Sequence, residues 1–368
     1  MIFSGNRPKF PQVTDYFLHE GFFCMIIINK TDLAEVMTRA QETYLLSGPV
    51  ETFHGHTFRH LEPGQAPDLS CHHTLLSPKA VVFPPSDPLL TFSGDDWAGP
   101  DLADLPPQAA VGIRPYDAKA LHLLKYNFDT PEYKDPYFLS RFENLTLVGL
   151  AENHPDPANF SVSCGTGPFD ETCLDMLLVD LGDALAGKIL TDKGEAFARA
   201  AGLDPIPAEK KAAVASTIAE LKTRAENAVT RTGSFGSLDG ISTLDLYEQI
   251  DWEALAFGCI NCNTCTFVCP TCWCFDIQDE ARGQKGVRLK LWDSCMSALY
   301  SAHASGHNPR RQGWQRFRNR FMHKLKYFGD KYGAGPMCVG CGRCIRTCPA
   351  GIDIRTIHQA LSRLEAVT

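Results

Sequence analysis

The chain has 368 residues, 44% of them hydrophobic and 21% charged, a balance that excludes a disordered or collagen-like polymer and allows two or three domains. With 35 basic against 43 acidic side chains the net charge is -8, which argues against nucleic-acid wrapping and against an anionic membrane surface. The start of the chain lacks the basic and apolar segments of a secretory signal.

In chain order, Lys30 to Leu46 has helical periodicity, with Thr31 or Asp32 placed to cap it. Short apolar runs bounded by turn-forming residues predict strands at Ala80 to Phe83, Ala109 to Ile113, Leu145 to Leu150 and Leu174 to Leu181. A helix is predicted from Asp117 to Tyr126, directly after the run AAVGIRP, and this strand-turn-helix order suits an α/β sheet. Pro207 to Arg231, rich in Ala, Lys and Glu, predicts a surface helix, and Thr232 to Ser242 a flexible boundary. The uncharged run Ala254 to Phe275 is long enough to span a bilayer, but its six cysteines and Pro270 speak against a membrane helix. Residues 281 to 331 carry twelve Lys or Arg against Asp293 and Asp330. That surplus is either a solvated helical face or a counterweight to negative charge nearby.

Cysteine is distributed unevenly. Four of the 15 (Cys24, Cys71, Cys164 and Cys173) fall in the first 250 residues and eleven in the last 118. Eight of those eleven make two copies of C-x2-C-x2-C-x3-C-P: Cys259, Cys262, Cys265 and Cys269 before Pro270, and Cys338, Cys341, Cys344 and Cys348 before Pro349. In this bacterial ferredoxin pattern the three closely spaced thiolates converge on one 4Fe-4S cluster and the fourth reaches the other. The expected ligands are Cys259, Cys262, Cys265 and Cys348 for one cluster, and Cys338, Cys341, Cys344 and Cys269 for the second. Two matched quartets favour clusters over structural zinc. Gly340 and Gly342 are small enough for backbone amides to approach cluster sulfur. Cys272, Cys274 and Cys295 are candidate ligands of a further centre, or ordinary buried thiols.

The segments CPTCWCFD (269–276), LWDSC (291–295), GHN (306–308), RFRNRFMHKLKYF (316–328) and CVGCGRCIRTCPAGIDI (338–354) resemble one family. It comprises the iron-sulfur beta subunit of cytoplasmic NAD(P)-linked sulfhydrogenases, the corresponding subunit of anaerobic sulfite reductase, and related subunits beside heterodisulfide reductases. Upstream, VGIRPYDAKAL (111–121), YFLSRFENLTLVGL (137–150) and GTGP (165–168) resemble it in the same order. The resemblance implies a cytoplasmic electron relay of anaerobic metabolism. Its partners would be a flavin subunit that oxidises NAD(P)H and a hydrogenase, sulfite reductase or heterodisulfide reductase subunit. Tyr116, Asn159 and Ser161 stand where the family usually has cysteines, so no redox role falls to those positions.

The expected architecture is an α/β (or α+β) docking domain at residues 1–205, a helical linker at 206–243, and a mostly helical domain at 244–368. The last contains a ferredoxin-like module with two 4Fe-4S clusters and a basic helical insertion at 281–331. GTGP lacks the strand-to-helix context of a dinucleotide fingerprint, and no acid-base pair stands out, so no catalytic residue is expected. The competing reading is an oxidoreductase whose N-terminal domain binds flavin or substrate and is fed by the ferredoxin domain. His54, His56, His60, Cys71, His72 and His73 lack regular ligand spacing and read as ordinary histidines and a thiol. His303, His307 and His323 are candidate hydrogen-bond donors to the clusters.

Overall fold

The structure, a computed structural model, describes residues 24–233, 238 and 240–364. The strands are β1 (Met25–Asn29), β2 (Leu45–Thr52), β3 (Gly55–His60), β4 (Ser86–Ser93), β5 (Asp96–Ala98), β6 (Gln108–Ile113), β7 (Leu145–Leu150), β8 (Met176–Asp180), β9 (Ala184–Ile189), β10 (Phe275–Arg282) and β11 (Lys285–Trp292). The helices are α1 (Leu33–Gln41), α2 (Pro115–Phe128), α3 (Pro136–Glu143), α4 (Asp192–Ala200), α5 (Ala208–Ala228), α6 (Thr243–Glu248), α7 (Trp252–Ala256), α8 (Thr264–Phe267), α9 (Gly313–Met322), α10 (Phe328–Tyr332), α11 (Arg343–Arg346) and α12 (Ile354–Ser362).

A seven-stranded sheet runs in the order β1-β9-β8-β7-β6-β2-β3. Its middle strands β2, β6, β7 and β8 pair in parallel, and β1, β9 and β3 are antiparallel to their neighbours. All six residues of β7 are buried, because helices cover both faces of this sheet. Alternation divides the strand: Val148 and Leu150 face the core built with α1 and α4, while Leu145 and Leu147 face the one built with α2, α3 and Ala225 of α5. The rest of α5 is not buried, as its Ala, Lys and Glu composition predicts.

Three expectations change. The helix predicted from Lys30 to Leu46 ends at Gln41, because Leu46 is captured by parallel pairing with Ala109 and buried in the core. The strand predicted at Ala80 to Phe83 is instead part of a 3-10 turn, Pro78–Val81, where Pro78 fixes the first dihedral and Val82 and Phe83 bond back to Lys79. The insertion predicted as helical from 281 to 331 begins in a β-hairpin: β10 and β11 pair around Gly283, whose φ is 64°. Only residues 313–331 of that stretch are continuously helical, through α9, a π-helical turn at His323–Tyr327 and α10, which ends at Tyr332.

The hairpin joins a four-stranded antiparallel sheet, β10-β11-β4-β5, in which β11 pairs with β4. Residues from the two ends of the sequence therefore share one sheet. The uncharged run folds into short helices and loops, and among the described residues no helix is long and apolar enough to cross a membrane. Residues 234–237 and 239 of the expected boundary lie outside the described residues.

Candidate metal centre

Two loops with the same backbone present the cysteines. In Cys259–Cys265 the third and fifth positions are Asn261 (φ 54°) and Asn263 (φ 68°); in Cys338–Cys344 they are Gly340 (φ 69°) and Gly342 (φ 72°). All four lie in the left-handed region that Gly and Asn tolerate best. Each loop runs into a one-turn helix, α8 or α11, before its Cys-Pro step. As the small residues suggested, amides reach sulfur: Gly340 N–H donates to Cys338 Sγ at 3.4 Å, and Ile352 N–H to Cys348 Sγ at 3.3 Å.

The thiols ring two adjoining cavities. The first is lined by Cys259, Cys262, Cys265 and Cys348. The second is lined by Cys269, Cys338, Cys341 and Cys344. Cys344 and Arg320 reach both. Each run thus contributes its first three cysteines to one cavity and its fourth to the other.

Charge is arranged to match. Lys79, Arg320 and Lys324 are each at most 3% exposed, and none is ion-paired with a carboxylate among the described residues. Lys324 Nζ donates to Thr271 Oγ1 at 2.8 Å, and Thr271 Oγ1 lies 3.4 Å from Cys269 Sγ. Arg320 faces Cys265 and Cys344, and its buried Nε has no hydrogen-bond partner. Lys79 donates to the Cys272 carbonyl at 3.1 Å and stands 3.9 Å from the Trp292 ring centroid; burial brings its ammonium down to about 8. Buried cations without counter-charge cost several kcal/mol each. An iron-sulfur cluster on four thiolates carries roughly two negative charges and supplies that counter-charge. Burial pushes the Cys341 thiol up to about 11. The orphaned Arg320 Nε, the unpaired cations and the all-sulfur donor sets fit clusters.

The basic segment is therefore divided: Arg282, Lys285, Arg311 and Lys331 are exposed, while Arg316, Arg320 and Lys324 are buried. Arg320 and Lys324 point at the thiols, but Arg316 spends its guanidinium on the carbonyls of Met296, Arg310 and Arg311, and Arg318 stacks 3.7 Å from the Tyr247 ring centroid. Neither cavity is lined by His303, His307 or His323. His303 and His307 stack on each other, and His323, lowered to about 4 by burial, packs against Trp273. His54, His56, Cys71, His72 and His73 line a separate cavity, where His56 pairs with Asp68 at 2.7 Å.

Sequence reasoning missed what holds the second loop. Arg343, inside CVGCGRC, is buried and gives Asp117 a two-pronged ion pair at 2.6 and 2.7 Å, with further bonds to Thr74. Two of the motifs that carried the family resemblance are thus locked together. Tyr116 is packed in the apolar contact between α2 and Val339 and Cys341. Lys79 gave no signal at all, since a lone lysine after Ser-Pro reads as surface.

Residues 258–352 match the profile of the 4Fe-4S dicluster domain. The chain thus carries a 4Fe-4S dicluster domain. It is 29% identical over 325 residues to Sulfhydrogenase 2 subunit beta of Pyrococcus furiosus, covering 87% of this chain and 92% of that protein. The similarity spans both the α/β region and the cysteine-rich region, as the order of the motifs implied. No solved structure matches the chain.

Proposed function

We propose that this chain is a cytoplasmic relay subunit that passes electrons through two 4Fe-4S clusters. Cys259, Cys262, Cys265 and Cys348 hold the first cluster; Cys338, Cys341, Cys344 and Cys269 hold the second. The observation that carries the reading is the crossed lining of the two cavities, each with one run's first three thiols and the other's fourth, around the buried charges of Arg320 and Lys324. Bound clusters supply one-electron redox chemistry. The chain's own part is to exclude water, donate N–H groups to sulfur and balance charge.

The first site is the exchange end. Cys262 is exposed, and Phe257 and Ile260 beside it are 93% and 67% exposed, whereas Cys341 is buried. Electrons enter or leave at the first cluster, from a flavin subunit that oxidises NAD(P)H or toward a hydrogenase, sulfite reductase or heterodisulfide reductase subunit. The named relative, a sulfhydrogenase subunit, favours the hydrogenase branch. Residues 1–205 act as the docking domain, with the ferredoxin-like module in 244–368.

Anaerobic reconstitution tests this directly. About eight irons per chain and the broad visible absorption of 4Fe-4S centres are expected; a colourless zinc-loaded protein contradicts it. Copurification of native partners then selects the branch. A second reading, flavin or substrate binding by the α/β region, is favoured by a cavity of about 350 Å³ beyond the C-terminal ends of β6, β7 and β8, lined by His72, Arg114, Glu152 and Asp180. That is where open α/β sheets bind ligands. Flavin released on denaturation supports it.

A further inference from the structure

The cavity at the C-terminal ends of the parallel strands makes specific chemical demands on an occupant. Four strands end on it: Lys30 follows β1, Arg114 follows β6, Glu152 and Asn153 follow β7, and Asp180 closes β8. Helix α5 adds Thr217, Leu221 and Arg224, whose i, i+4, i+7 spacing sets them on one helical face. The charges on this lining do not balance. Lys30 and Asp180 pair with each other at 2.8 Å. Arg114 spends its guanidinium on the carbonyls of Leu150, Ala151 and Cys71, and neither it nor Arg224 has a carboxylate partner within ion-pair distance among the described residues. The remaining acid, Glu152, is buried and accepts from Asn159 Nδ2 at 2.7 Å; burial raises its carboxyl to about 7, so it offsets only part of that charge. Asn153 makes a different demand. Its Nδ2 donates to the Asp180 carbonyl at 2.6 Å, which fixes the orientation of the amide, and its Oδ1 is left buried with no hydrogen-bond partner.

These features select among occupants. A free phosphate or a small carboxylate satisfies the cations, but it brings no N–H for Asn153 and no apolar surface for Leu69, Leu181 and Leu221, which also line the cavity. A volume of about 350 Å³ is at the small end of the range for ligand pockets, so one heterocycle with its sugar phosphate fits and a dinucleotide does not. We propose that the cavity binds a mononucleotide, with its phosphate on Arg224, its ring against the leucines and a ring N–H donating to Asn153 Oδ1. The inference sharpens the second reading given above and rests on it. The position of the cavity gives such a ligand a use. Asn159, which holds Glu152, also accepts Ser161 N–H at 2.8 Å through its Oδ1, and Phe160 N–H between them bonds Gly340 O at 2.9 Å. The occupant therefore lies one hydrogen-bonded segment away from the second cysteine loop.

The test uses the full chain, reconstituted anaerobically, with flavin mononucleotide and adenosine monophosphate as probes and inorganic phosphate for comparison. Mass spectrometry identifies any small molecule released on denaturation, and calorimetry measures binding to the emptied chain. At least one of the two nucleotides should bind, and more tightly than phosphate. Flavin mononucleotide alone makes the site a redox station beside the second loop, and adenosine monophosphate makes it a regulatory one; either supports the proposal. Arg224 is exposed, so Arg224→Glu should fold, and it should weaken nucleotide binding about tenfold or more. Lys222→Glu, on the same helix but outside the cavity lining, should leave binding within about twofold. Equal losses in the two variants, or phosphate bound as tightly as the nucleotides, overturn the proposal. Release of a ligand that is not a nucleotide overturns it too, while keeping ligand binding by the α/β region. An empty chain that binds neither probe removes both.

Discussion

The two cysteine loops have one backbone and two environments. At matching positions the first loop uses Asn261 and Asn263 and the second uses Gly340 and Gly342, all with positive φ. The surroundings decide the choice. A Cβ on Gly340 would lie 2.6 Å from the Ser161 backbone, and one on Gly342 would lie 2.5 Å from the Ala158 carbonyl oxygen. The second loop has the N-terminal region's backbone pressed against it, with Phe160 N–H bonded to Gly340 O at 2.9 Å. The first loop holds Cys262 at the surface. A shared cysteine motif therefore makes one accessible loop and one enclosed loop, and the difference is written in the residues between the cysteines.

The comparison can be broken most severely at Arg343. Arg343→Leu leaves Asp117 buried without its partner, so a loss of about 3–5 kcal/mol is expected in denaturant unfolding of the reconstituted chain. Iron at the second site should fall with it. The matching residue of the first loop is Thr264, and Thr264→Ala should cost much less.

Glu152 sharpens the enclosed side by pH. Its carboxyl is buried and bonded by Asn159 Nδ2 at 2.7 Å, behind the segment that packs on the second loop, and burial raises it to about 7. The folded chain holds this proton more tightly than the unfolded chain. The stability it contributes is full below the ordinary carboxylate value and is lost as pH rises through about 7. Glu152→Gln should flatten thermal stability between pH 5 and 8 and raise it at pH 8, by at most about 3 kcal/mol.

Gly340→Asn is a smaller perturbation and the most direct swap between the loops. Asn tolerates the dihedral, so the expected cost of about 1–3 kcal/mol comes from overpacking against Ser161. Iron quantitation should show partial loss confined to one cluster. The reverse swap, Asn263→Gly, should change stability by well under about 1 kcal/mol and leave both clusters loaded. Equal effects from the two swaps would remove the distinction drawn between the sites.

Much of this was legible beforehand. Regular cysteine spacing singled out the two quartets that line the cavities, and β7 was readable end to end because a strand buried on both faces is apolar throughout. The β10–β11 hairpin was hidden: FDIQDEAR is nearly all polar, since this outer strand is largely exposed, and only RGQKG marked its turn. Arg320 and Lys324 could not be told from Arg316 and Arg318 by composition, because helical phase and the π-helical turn at His323–Tyr327 decide which cations turn inward. Lys79, brought to the thiols from nearly two hundred positions away, depends wholly on tertiary structure.

The sheet shared by β4 and the β10–β11 hairpin has a mechanical consequence. A carrier that shuttles on a hinged arm must detach its redox module from the body that docks it. Here the strand that leads out of the first cysteine run is stitched, through its hairpin partner, to β4 of the N-terminal region. The module cannot swing without breaking a row of backbone hydrogen bonds. In the proposed relay, electrons would therefore traverse a stationary wire, at a rate governed by the gaps between its fixed stations and insensitive to the viscosity of the surrounding solvent.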